Sequence, residues 1–491
     1  MINKKLEKIA FTLFVFTILI SFYIYGMVVR LNGDNIEHMH TSWLIWQGNV
    51  PYRDFFQHHN PLIWYIFAPV VAFFIDNIVI FRLFSLISVI ALCFVVFYQA
   101  KIIKQLNVSK FIVLLFASTA LSSYSILLST DYRPDTFMYL FFFSGLYYLF
   151  EYTDNAKSKS LILSFLLFFL SFLCTQKVVL NFLILAPFIL YLLYKNKISK
   201  DDFVKSCFLP IVISICFISY LYVNDSLLIY WKSCYLFNSK LADFFVETRF
   251  TMPPMEYYDI YIFSMFGIFS AIYFFIKGNI KERIIVSLFL EELLARLFYF
   301  SAFLHYNTML LMLAIMLSFL ALNRIKIGNN IKMIVLFAYI IFSNVYNYQK
   351  TYINEINNKN INIYEYYFNN LTPCDYALNG YYAVNNLQAK DVGYYHILLG
   401  QLDVLGEKLN IAPKDDLNKL IVTYLPKIIS NDIYWDMYLR ERGRMYPSYV
   451  VNYDIVSTYY QHSGIGNIYI LKPQYQKKYC KKNNGIWEYV D

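Results

Sequence analysis

The chain reads as a polytopic α-helical membrane protein, and three observations carry that reading. Hydrophobic residues fill 58% of its 491 positions and charged residues only 15%, with a mean hydropathy of +0.45. Apolar stretches recur along residues 1–350, most of them near the roughly 20 residues that cross about 30 Å of hydrocarbon as a helix. Lysines and arginines gather in the short connections, alternately dense and sparse. This composition excludes a soluble globule. The net charge of +9 is dispersed among those connections, so no nucleic acid is expected as a partner.

The expected spans are 9–29, 78–100, 111–128, 137–152, 161–174, 178–194, 206–223, 260–276, 283–299, 307–322 and 331–347, about 11 transmembrane helices. The first follows Lys4, Lys5 and Lys8 as a signal peptide would, but it is long enough to span and no small-residue cleavage site follows it. It is therefore read as uncleaved. On one side of these spans the connections hold eighteen basic residues, from Lys4 to Lys332, against seven on the other. The alternation predicts a cytoplasmic N-terminus in a multi-pass cell (plasma) membrane protein. The first loop, 30–77, and everything after about 350 then lie outside the cytoplasm.

Pro61–Ile75 is apolar but short, and counting it as a span would invert the basic pattern downstream. It is expected as an interfacial helix on the outer face, with Trp64 and Tyr65 at headgroup level. A second such helix is expected over 35–48, capped by Asp34 and ended by Gly48. Domain organisation follows as a transmembrane region over 1–349 and a small extracytoplasmic α/β domain over 350–491. In the latter Val392–Leu399, Leu420–Leu425 and Gly466–Leu471 read as strands and Trp435–Glu441 as a helix. The seven cysteines form no CxxC pair and four fall in expected spans, so a disulfide scaffold is not expected.

The ionisable residues concentrate in the first loop. Four of the seven histidines lie there, with Asp34, Glu37, Arg53, Asp54, Trp43, Trp46 and Trp64. Charges beside a membrane are costly unless they serve chemistry or binding. Asp34, Glu37 and His38 stand at i, i+3 and i+4, one face of a helix, where a carboxylate suits a general base for a hydroxyl or amine nucleophile. The plainer reading is a cap followed by solvated first-turn charges. His38, His40, His58 and His59 leave a divalent metal open as a cofactor, yet no HExxH or comparable spacing appears. Structural hydrogen bonding is the stronger default. In Thr130-Asp-Tyr-Arg-Pro-Asp135, Pro134 suits the first turn of the next helix, and Arg133 between Asp131 and Asp135 suits phosphate. A local Arg–carboxylate network is the alternative. Lys177 interrupts an apolar stretch at the same expected level, as a phosphate contact or a snorkelling lysine. Glu291, Glu292 and Arg296 fall inside a span and read as a structural pair first, a cavity lining second. His305-Tyr306-Asn307, at the outer end of that helix pair, reads as a hydrogen-bonding contact for a sugar or as a helix cap.

These elements together resemble the GT-C superfamily of membrane glycosyltransferases, in particular the family of protein O-mannosyltransferases and bacterial aminoarabinose-type transferases. The resemblance rests on Asp34, Glu37 and His38 after the first span, on the Gly48–Leu62 run GNVPYRDFFQHHNPL, and on Arg133-Pro134-Asp135, with Lys177 after the next hairpin. It covers residues 1–350. It implies transfer of a monosaccharide from a polyprenyl-phosphate donor on the outer face to a lipid, glycan or protein acceptor. Asp34 would be the catalytic acid residue near the acceptor, with Glu37 as alternative. His38, His58, His59, Arg133, Asp135, Lys177, His305 and Tyr306 would bind substrate. Many relatives carry a lysine before the Pro-Leu pair where this chain has His59-Asn60, which shifts phosphate binding towards Arg133 and Lys177. The rival readings are a flippase or transporter for polyprenol-linked glycans, and a polymerase or ligase using lipid diphosphate donors.

Overall fold

In the computed structural model the described residues are 4–24, 33–74, 79–129, 131–240, 255–298, 304–352, 366, 369–378, 390–391, 402–413, 416–430, 453–464, 468–477, 479–483 and 486–489. The chain divides into two compact units. The first comprises 1–30, 82–217 and 242–357, and the second 31–81, 218–241 and 358–491.

Helix is found at every expected span: Lys4–Ser21, Val79–Gln105, Lys110–Ser122, Pro134–Asn155, Ser158–Cys174, Val179–Tyr194, Lys200–Val223, Tyr258–Lys277, Ile280–Phe298, Thr308–Arg324 and Asn329–Asn347. Among the described residues six helical stretches are long and apolar enough to cross a membrane, and four apolar helices are shorter. The expected span 111–128 is broken. Ser123 takes an extended conformation, its hydroxyl accepting from the Ile126 amide at 3.3 Å and donating to Asp259 at 2.6 Å. A serine that can cap offers the backbone an alternative to helix, and a new helix, Tyr124–Leu128, starts there. Asp259 also accepts from the Ser125 amide and hydroxyl, so this buried carboxylate is well satisfied.

The centre of the first unit is Thr308–Arg324, whose side chains are buried without interruption from Thr308 to Leu317. A helix apolar on all sides belongs inside a bundle. Lys200–Val223 is its opposite, with Val204, Phe208, Ile211 and Ile215 more than half exposed, a face suited to hydrocarbon. Pro134–Asn155 and Ser158–Cys174 form a tight hairpin. A Cβ on Gly145 would meet the Phe168 ring at 2.8 Å, and the Ser164 hydroxyl donates to the Gly145 carbonyl at 2.8 Å. Glycine is required by that approach.

The second unit contains a five-stranded sheet of β1 (Tyr376–Leu378), β2 (Lys390–Asp391), β3 (Ile428–Ser430), β4 (Tyr460–His462) and β5 (Ile468–Leu471), in the order β2-β1-β3-β5-β4. The β2-β1 and β1-β3 pairs are parallel, the other two antiparallel. β6 (Cys480–Asn483) and β7 (Ile486–Tyr489) form a separate two-stranded antiparallel hairpin. Of the expected elements, Gly466–Leu471 is found as β5 over its described residues, Ile468–Leu471, while 392–399 and 435–441 lie outside the described residues. Leu420–Leu425 is not a strand but belongs to the helix Leu417–Tyr424. Asp416 caps it by accepting from the amides of Asn418 and Lys419, and Leu417, Leu420, Ile421 and Tyr424 repeat with helical period. The sequence draws one boundary at 350. In the structure, 31–81 and 218–241 group with the C-terminal portion, for instance through the Lys232 ammonium donating to the Asn410 carbonyl at 2.7 Å.

A disulfide joins Cys374 and Cys480 across 106 residues, correcting the expectation of none. Pairing partners so far apart leave no local spacing signal. The neighbouring Asp375 accepts from the Thr372 amide at 2.6 Å, from Lys427 at 3.2 Å and from the Tyr489 hydroxyl, knotting β1 to β7 and to the chain before β3. Thiol labelling of the unfolded chain without reductant is expected to find the five free cysteines, and all seven after reduction. Cys374→Ser is expected to destabilise the second unit by about 2–5 kcal/mol, read as a lower denaturation midpoint.

Candidate active site

In the second unit, the helix Gly33–Trp46 carries the acidic element. Asp34 lies inside its first turn and not before it as a cap, and its side chain is outside the described residues. The helix ends as expected. Gly48 has φ +90°, and the amides of Gly48 and Asn49 return to the carbonyls of Ile45 and Leu44. An interfacial helix would show one wetted face, yet every side chain from Asn35 to Leu44 is buried. Polar residues so enclosed require partners. The Gln57 amide donates to Glu37 at 3.0 Å and to the Thr41 hydroxyl at 2.8 Å. The second short helix is Leu62–Phe74. Trp64, expected at headgroup level, is fully buried, and its indole N–H donates to Nδ1 of His38 at 3.3 Å. With Nδ1 accepting, a neutral His38 keeps its proton on Nε2. The His38 ring lies 5.8 Å from His59, and His59 lies 4.2 Å from His58.

The run between these helices is fixed by its own turn. Tyr52 has φ +69°, a strained conformation for a tyrosine, and its hydroxyl donates to the His59 carbonyl at 2.6 Å. Asp54 accepts from the Val50 amide at 2.7 Å and from both arms of the Arg53 guanidinium at 2.8 Å. Burial pushes the Asp54 carboxyl up, but Arg53 and the Val50 amide outweigh it and hold it below its ordinary value. The depressed value means that this turn gains stability above the usual carboxylate range and loses it as pH falls through the lowered value.

Residues 58–60 are held by a segment the sequence did not single out. The Asn238 amide donates to the His58 carbonyl at 2.8 Å, the Cys234 thiol faces the His59 carbonyl at 3.5 Å, and the Tyr230 hydroxyl donates to Asn60 at 2.9 Å. Tyr230, Cys234 and Asn238 recur every four residues, a helical face that was visible in the sequence. The π-helix Lys232–Phe237 lies within it, a local feature frequent at functional sites. Among the described residues no group of three or more His, Cys, Asp or Glu is placed to hold a metal ion.

In the first unit, Pro134 is the first residue of Pro134–Asn155, with Arg133 as its N-cap. The Arg133 amide returns to the Asp131 carbonyl at 2.8 Å, and the Thr136 hydroxyl donates to the same carbonyl at 2.8 Å. Asp135 is buried and paired with Lys177 at 2.9 Å. Lys177 sits in the 3-10 turn Gln176–Val178, one quarter exposed. Its ammonium stands 4.2 Å over the Tyr306 ring. A lysine has three donors, so the Asp135 pair leaves two for an anion. His305 shares the turn Leu304–Asn307 with Tyr306, but its side chain is outside the described residues. Glu292 and Arg296 approach to 3.6 Å as an i, i+4 pair. The Asn181 amide donates to Glu291 at 2.7 Å and to Glu292 at 3.2 Å, and Arg296 donates to Asn307. Tyr139 is buried in the field of Asp135, Glu292, Arg296 and Arg133. This unit therefore gathers Arg133, Asp135, Lys177 and Tyr306 with the intramembrane charges. Asn181 carries no signal in the sequence, because an asparagine in an apolar run has no motif.

No protein-family model and no curated protein matches the chain. Solved structures do. ArnT from Cupriavidus metallidurans bound to undecaprenyl phosphate aligns with a TM-score of 0.56 at 11% identity, over 89% of this chain and 95% of that one. The same protein in the apo state gives 0.50 at 11%, over 88% and 94%. The oligosaccharyltransferase of Archaeoglobus fulgidus in the apo form gives 0.48 at 12%, over 92% and 72%. The alignment with ArnT spans nearly the whole of both chains, so this protein shares the polytopic helical membrane fold of that structure.

Proposed function

We propose that the protein is an inverting membrane glycosyltransferase. It moves one monosaccharide from a polyprenyl-phosphate donor to a lipid, glycan or protein acceptor on the extracytoplasmic face. Asp34, or alternatively Glu37, takes the proton of the acceptor group as that group attacks the anomeric carbon. The bond to the donor oxygen breaks, and the electron pair leaves with the lipid phosphate. Arg133 and Lys177 stabilise the charge that builds there. The observation that carries this reading is the Lys177 ammonium, partly exposed and shared between Asp135 and Tyr306, in a fold shared with an ArnT bound to undecaprenyl phosphate. His38, His58 and His59 supply a fixed polar surface for the sugar or acceptor.

The basic residues between spans support a cytoplasmic N-terminus. The Cys374–Cys480 disulfide supports an oxidising, extracytoplasmic setting for the second unit. Mass spectrometry of envelope glycans and lipids, with and without the protein, tests the reading. One product is expected to lose a single monosaccharide increment. Loss of a longer block would point to a polymerase or ligase, and unchanged products would contradict the proposal.

A further inference from the structure

We propose that Glu292 and Arg296 are positioning residues that set the Lys177–Tyr306 pair through two tethers from one helix, an inference that rests on Lys177 meeting the donor phosphate. Ile280–Phe298 carries Glu291, Glu292 and Arg296. Its carboxylates hold Asn181 at 2.7 and 3.2 Å, and Asn181 follows Lys177 by four residues. Its guanidinium holds Asn307, the residue after Tyr306. Both halves of the 4.2 Å cation–π contact are thus tied to the same turns of one helix. Arg296 is bound in turn to Glu292 at 3.6 Å, with both side chains mostly buried.

Apolar residues would join these helices equally well, since a buried ion pair is a poor source of stability. What the pair adds is a fixed height for Lys177 and Tyr306. A small misplacement of a catalytic cation is costly in rate.

The test is a double-mutant cycle on purified protein with a labelled polyprenyl-phosphate sugar. Asn307→Ala cuts the tether to Tyr306 without altering Lys177 or its Asp135 pair. It is expected to lower kcat about tenfold, with donor KM nearly unchanged, in the native background, and to have almost no further effect in Lys177→Met. Asn181→Ser, which cuts the other tether, is expected to behave alike and serves if Asn307→Ala does not fold. Equal losses in both backgrounds, or no loss in either, would overturn the proposal while leaving the reading of Lys177 intact. An unchanged kcat in Lys177→Met itself would remove that reading, and this inference with it.

Discussion

Lys177→Met is expected to lower kcat by about 10²–10³, the usual cost of removing one preorganised donor from a developing anion. The effect is electrostatic. In the proposed reaction the donor phosphodiester carries one charge and the departing lipid phosphate more, so a cation at that oxygen is worth more in the transition state than in the ground state. The variant also breaks the pair that Lys177 makes with Asp135, whose side chain is only 4% exposed, and breaking a buried pair costs about 3–5 kcal/mol. Reduced yield or a lower melting temperature is therefore expected alongside the kinetic loss. Lys177→Met combined with Asp135→Asn separates the two effects. The double variant is expected to regain stability, read by thermal denaturation, without regaining turnover. Recovery of kcat in the double variant would show that the charge of Lys177 is not used in the reaction.

The second large effect is at the first loop. Asp34→Asn is expected to reduce transfer by about 10²–10⁴, the range for losing a general base, with donor binding largely retained. Asparagine is nearly isosteric, and a carboxylate in the first turn of Gly33–Trp46 contributes only about 0.3–1 kcal/mol through the helix dipole. Protein levels should therefore hold. Glu37→Gln is the necessary companion, because Glu37 already accepts from the Gln57 amide at 3.0 Å. If transfer survives Asp34→Asn and is lost in Glu37→Gln, the basic role moves to Glu37.

Much of the fold was legible because hydrocarbon imposes a length on apolar runs. Helix occupies each expected span, with 111–128 split in two at Ser123, and the expected division between 174 and 178 is found between Cys174 and Val179. Pro134 opening its helix and Gly48 closing another were also readable, since both residues act through local backbone geometry. The misses came where tertiary context decides. Leu420–Leu425 has strand-like composition, but the cap at Asp416 and the four-residue spacing of its apolar side chains select helix. Trp64 suits an interface by type, yet its N–H is drawn inward to His38. The Cys374–Cys480 bond spans 106 residues, beyond any pattern a linear reading detects. In the site, charged residues announced themselves by their cost in a membrane. The neutral ones that orient them, Gln57, Asn181 and Asn238, cost little and left no such trace.

The proposed reaction breaks a sugar–phosphate bond on a lipid donor. Purified protein in vesicles, given a polyprenyl-phosphate sugar labelled in both lipid and sugar, tests it most directly. Equal amounts of free polyprenyl phosphate and of glycosylated product, with the anomeric configuration inverted, are the expected result. Movement of intact lipid-linked sugar across the bilayer, with no polyprenyl phosphate released, would contradict it.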